Sequence, residues 1–139
     1  MLLKFKPFVI TLLAALLGII LYNIYNGWDQ SQGQPPTLQL VDTNQLTLMM
    51  VKNDDLTIVD LREPELFEES RIPGAINIPF TDIQARYKEL SKSRKIVFVC
   101  HTGRMGKESG NLLLQNGYMR VYNLDGGIAK WSGKLARSQ

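Results

Sequence analysis

The hydrophobic and polar positions divide the chain into two regimes. Residues 7–28 contain no charged side chain, and 8–25 are dominated by Leu, Ile, Val, Ala and Phe with almost no polar face. From residue 37 onward, short β-branched runs alternate with helical periodicity, and turn residues fall between them. This pattern predicts strands at 38–41, 56–60, 75–78, 95–99 and 121–123. Between them it predicts a helix capped by Asp42 or Thr43 and running to about Val51, a short helix over 65–70 opened by Pro64, and a helix over 82–90. A helix over 105–116 closed by Gly117 follows, with a final short one over 128–131. Strands alternating with helices argue for an α/β domain built on a parallel sheet, with ligands at the carboxyl ends of the strands.

The first regime reads as a single transmembrane helix. Twenty-two helical residues, 7–28, reach about 33 Å at about 1.5 Å per residue, against a hydrocarbon core of about 30 Å. The sequence thus divides into a short basic tail (1–6), a membrane anchor (7–28), a polar linker rich in Pro, Gly and Gln (29–36) and a domain (37–139). Lys4 and Lys6 precede the span, whereas after it the first basic residue is Lys52. The positive-inside rule then places the domain outside the cytoplasm, with Tyr22, Tyr25 and Trp28 at the outer interface. The competing expectation, a cleaved signal peptide, lacks an Ala-x-Ala site after the apolar run; Ser31-x-Gly33 has small residues but lies far downstream.

Charge narrows the partners. The formal net charge is +3, but Lys4, Lys6 and Asp29 all precede residue 37, which leaves 14 basic and 12 acidic residues beyond it. With no basic run and no interleaving of aromatic and basic residues, no nucleic-acid partner is expected. One cysteine and one histidine can form neither an internal disulfide nor a Cys/His metal cluster, so no metal is expected.

The candidate chemistry lies at the end of the strand 95–99, where Cys100, the only cysteine, is followed by His101-Thr102-Gly103-Arg104-Met105 and then the clearest helix. A strand that hands over to a helix there would converge the backbone N–H groups of 101–105 on the sulfur and favour its thiolate. Gly103 lets the loop curl. The Arg104 guanidinium is either an anion clamp or a solvated residue at the helix start, and His101 is read as lining the pocket rather than as a dyad partner. Asp60 and Arg62 follow the strand expected beside that of Cys100; they either face the site as supporting residues or, as the favoured reading, are structural and pair with polar groups near the sheet edge. Ile72, Ile76, Ile78, Leu112, Leu113, Val121 and Trp131 are core candidates.

Three separated runs carry a resemblance. They are Ile58-Val59-Asp60-Leu61-Arg62-Glu63-Pro64-Glu65 with Arg71-Ile72-Pro73-Gly74-Ala75-Ile76-Asn77-Ile78-Pro79; Ile96-Val97-Phe98-Val99-Cys100 with Gly103; and Val121 to Trp131, which contains Gly126-Gly127. In this order they resemble the signatures of rhodanese-like domains. The resemblance implies a five-stranded parallel sheet flanked by helices and a sulfurtransferase that works through a Cys100 persulfide without a cofactor. It implies a small sulfur donor, thiosulfate or a persulfide, and a thiol or protein acceptor. Two positions depart from the family pattern: Met105 stands where many members close the loop with arginine, and Arg71 where a histidine commonly precedes Ile-Pro-Gly-Ala. The rival classes are a phosphatase or arsenate reductase, which needs an arginine six residues after the cysteine where this chain has Gly106, and a membrane-tethered binding module with little or no catalysis.

Overall fold

A computed structural model describes the backbone of residues 7–29, 35–52 and 55–138, and the side chains within them apart from 7–10 and 25–29. The chain falls into two compact units, Met1–Pro35 and Pro36–Gln139. In the first, helix α1 spans Pro7–Asp29, 23 residues. Its described side chains, 11–24, are all exposed, Leu13, Leu17 and Ile24 each by more than half. Among the described residues no helix is long and apolar enough to cross a membrane. The expected span is therefore not shown: its ends, 7–10 and 25–28, lie outside the described side chains, as do the basic tail and linker residues 30–34.

The second unit is the predicted α/β domain. Its strands are β1 (Gln39–Val41), β2 (Leu56–Asp60), β3 (Ile76–Asn77), β4 (Lys95–Val99) and β5 (Val121–Leu124). All pair in parallel, in the order β1-β5-β4-β2-β3, so β4 is central. That position explains its unbroken apolar run, because a parallel strand covered on both faces has no solvent side to make polar. Ile96, Val97, Phe98 and Val99 are all fully buried. Ile96, Phe98 and Cys100 enter one core layer with Val59, Leu113 and Tyr118. Val97 and Val99 enter the other with Leu46, Ile58, Ile72 and Leu124, as the period-two alternation of a strand requires.

The helices are α2 (Thr43–Val51), α3 (Pro64–Glu69), α4 (Ile83–Arg86) and α5 (Arg104–Gln115). Asp42 is the cap of α2: its Oδ1 accepts from the Gln45 amide at 2.8 Å while Gln45 Oε1 accepts from the Asp42 amide at 2.9 Å, a reciprocal capping box. Pro64 opens α3 as expected. The single helix expected over 82–90 is instead a short α4 followed by a 3-10 turn, Tyr87–Glu89. The buried Tyr118 hydroxyl lies 2.8 Å from both the Tyr87 and Leu90 carbonyl oxygens, so this tertiary contact occupies carbonyls a continuing helix would use.

Among the core candidates, Ile72, Ile78, Leu113 and Val121 are buried, but Ile76 is 44% exposed because it sits on the short edge strand β3. Leu112 and Trp131 are half-buried against the two layers. Arg71 ties down the C-terminal segment, with its guanidinium over the Phe67 ring at 4.9 Å and its Nη1 donating to Ser138 Oγ at 2.8 Å.

Candidate active site

Cys100 occupies the carboxyl end of β4, the middle of the sheet, and α5 begins four residues later. In between, Gly103 adopts φ +97°, the left-handed region, which only glycine enters without penalty. The turn through 101–103 presents the Gly103 amide to the cysteine, and it donates to Sγ at 3.0 Å. A donor aimed at sulfur stabilises negative charge there and separates Cys100 from an ordinary buried hydrophobe, although only 1% of the residue is exposed.

The loop is held from behind by the end of the chain that follows β5. The Ile128 amide donates to the Cys100 carbonyl at 2.8 Å and the Ala129 amide to that of His101 at 3.2 Å. Asn123, 2% exposed on β5, donates from Nδ2 to the Gly103 carbonyl at 2.8 Å, and the Lys107 amide reaches the same oxygen at 3.2 Å.

The remaining predicted residues divide by environment. His101 and Thr102 are exposed. His101 Nε2 lies 3.3 Å from Glu63 Oε2. The Glu63 carboxyl sits below its ordinary pKa, chiefly through a backbone hydrogen bond at Glu63 itself and next through the His101 imidazole. Met105 packs against the core and lines a cavity of about 290 Å³ with Leu61, Glu63, Phe80 and Asp82. Thr102, Gly103 and Arg104 line another of about 490 Å³ with Lys107, Asn111 and Asp125. The Arg104 guanidinium is largely exposed and lies 3.5 Å from Glu108, one turn along α5.

Asp60 and Arg62 form a buried pair whose hydrogen bonds go to each other and to backbone. Arg62 donates to both Asp60 carboxylate oxygens, the shortest contact being 2.6 Å, and from Nη2 to the Ser70 carbonyl at 2.6 Å. Asn77 bridges their two carbonyls at 2.9 Å each. The pair ties the exit of β2 to the end of α3.

Sequence reasoning missed three residues of the site. The sequence pattern puts Gly127 in a turn, Gly106 in a helix and Asn123 in a strand, none of them at the site. The available signal was Asn123 itself, since asparagine is disfavoured within strands.

Residues 42–134 match the model of the rhodanese-like domain. A sulfurtransferase of Allochromatium vinosum is 34% identical over 92 residues, which cover 66% of this chain and 86% of that protein. YrkF of Bacillus subtilis, whose name proposes a sulfur carrier, is 26% identical over 116 residues; the match covers 84% of this chain but only 63% of YrkF. Among solved structures, the BH2092 protein of Bacillus halodurans superposes with a TM-score of 0.64 at 26% identity, covering 84% of this chain and 85% of that one. With the family model matched across all five strands but β1 and with the sheet order and loop in place, the chain belongs to the rhodanese-like domain family.

Proposed function

We propose that this protein is a sulfurtransferase in which Cys100 carries sulfane sulfur as a persulfide. The observation that supports this most directly is the Gly103 amide on Cys100 Sγ, 3.0 Å away at the carboxyl end of the central strand. The Cys100 thiolate attacks the outer sulfur of thiosulfate or of a small persulfide. One S–S bond forms on Cys100 as the donor's S–S bond breaks, and sulfite or a thiolate leaves with the bonding pair. An acceptor thiolate, on a small molecule or a protein, then attacks the outer sulfur, and the Cys100 thiolate leaves. Neither step requires a general base once the thiols are ionised, nor a redox cofactor. Because Cys100 is 1% exposed, donor contact requires a local movement that opens a path to Sγ.

The test is intact mass of the full chain in detergent after incubation with thiosulfate or a low-molecular-weight persulfide. One added sulfur atom is expected, and none in Cys100→Ser. No adduct with any donor would sink the proposal and favour a binding module.

We also propose that residues 7–28 tether the domain to a membrane, with the domain outside the cytoplasm. The supports are the uncharged 7–28 sequence, a 23-residue helix there, and the Lys4 and Lys6 flank. Protease treatment of intact cells and of inverted vesicles checks it; digestion only from the cytoplasmic side would overturn the topology, and release of the domain without detergent would overturn the tether.

A further inference from the structure

We infer that Asn123 is a positioning residue for Cys100, holding Gly103 in the conformation that keeps its amide on the sulfur. The inference rests on the reading of Cys100 as the reacting residue. Gly103 is gripped at both ends: its N–H donates to Cys100 Sγ at 3.0 Å, and its carbonyl accepts from Asn123 Nδ2 at 2.8 Å. Holding both groups of one residue fixes its two dihedrals, here in the left-handed region that a free loop would readily leave.

Three local costs converge on this one bond. Asn123 lies within a strand, where asparagine packs poorly. Its Oδ1 is buried and, among the described residues, has no hydrogen-bond partner, a cost buried polar atoms rarely bear. Gly106 lies in the first turns of α5, where glycine weakens a helix relative to alanine. A Cβ at 106 would stand 2.7 Å from Asn123 Cγ and closer still to Oδ1, so Gly106 is glycine to make room for Asn123. Local rules broken together at one place mark a functional constraint, and what these three preserve is the hold on Gly103.

Cys100 is the only cysteine, so iodoacetamide labelling of the full chain in detergent reports on it alone and does not depend on sulfur transfer. The expected result is that Asn123→Ala moves the pH at which alkylation reaches half its plateau rate upward, because the hydrogen bond to the sulfur is weakened. A merely structural residue would change melting temperature or the plateau and leave that midpoint in place. Gly106→Ala should produce a similar shift by pushing the Asn123 amide off Gly103, and should add nothing in the Asn123→Ala background. If Asn123→Ala does not fold, Asn123→Ser takes its place. An unchanged midpoint in the folded Asn123 variant, or a full Gly106→Ala shift in its background, would overturn the inference. A shifted midpoint in a protein whose wild type takes up no sulfur would leave the positioning role standing and remove the sulfurtransferase reading.

Discussion

Gly127 abuts the backbone of Cys100: a Cβ at 127 would collide with the Cys100 carbonyl oxygen and stand 2.7 Å from the His101 carbonyl. Gly127 also has φ +61°, which an L side chain rarely adopts. The contact is set by the Ile128 amide, which draws the Cys100 carbonyl to 2.8 Å. Gly127→Ala should therefore destabilise the domain by more than about 1 kcal/mol, since a side chain there meets both a clash and a disfavoured φ. It should also weaken sulfur uptake at Cys100 more than its effect on the denaturation midpoint explains. Denaturant titration alongside the mass assay checks both; a variant of wild-type stability would mean that the 126–128 turn shifts freely.

The Asp60–Arg62 pair is nearly fully buried, with side-chain exposures of 1% and 5%. Removing one partner strands the other charge, so Asp60→Ala or Arg62→Ala should each cost roughly 3–5 kcal/mol. Arg62→Lys should recover only part of this, because an ammonium cannot satisfy both carboxylate oxygens and the Ser70 carbonyl from one fixed fork. Chemical denaturation of the four proteins measures the series; an Arg62→Lys variant equal to wild type would show that charge alone, not the fork, matters there.

What was legible in the sequence was whatever local pattern or chain order specifies. Strand β4 was legible in full because a central parallel strand must be apolar throughout, and Cys100 because it is a lone cysteine where that pattern stops. The cap at Asp42 and the start at Pro64 are encoded within four residues. What escaped was set by contacts distant in sequence. The break between α4 and its 3-10 turn depends on Tyr118, about thirty residues later. The grip on Gly103 depends on Asn123, twenty residues away. Ile76 looked like core by composition alone, but β3 is an edge strand of two residues, and edge position is a property of the whole sheet.

Arg104 has two readings, an anion clamp and a solvated helix-start residue, which its contact with Glu108 lets a mutation separate. The Arg104–Glu108 contact at 3.5 Å is an exposed i,i+4 pair, worth about 0.3–0.5 kcal/mol in helices. Arg104→Ala should therefore leave stability nearly unchanged. If the guanidinium does not grip the donor, the rate of sulfur uptake from thiosulfate should also stay within about threefold of wild type, the size of effect a surface charge exerts. Stopped-flow or quenched mass measurements decide this; a loss beyond about tenfold, or 1.4 kcal/mol, would mean that the side chain leaves Glu108 for the donor.

Tyr118 links stability to alkaline pH. Its hydroxyl is buried and faces two carbonyl oxygens, and burial, followed by the neighbouring Tyr87, pushes its pKa above the ordinary value of 10.0. The folded state then holds the phenol proton at a pH where the unfolded chain has begun to lose it. Between about pH 10 and the raised folded value the unfolded state binds fewer protons, so stability must fall as pH rises. Tyr118→Phe removes this dependence together with the hydroxyl's hydrogen bonds. The variant should be less stable than wild type near pH 8, by about 0.5–1.5 kcal/mol for a net hydrogen bond, and the gap should narrow steadily above pH 10. Urea titrations of both proteins at pH 8, 9, 10 and 11 test the sign; a gap that widens with pH would mean that the phenolate, not the phenol, is the form the fold prefers.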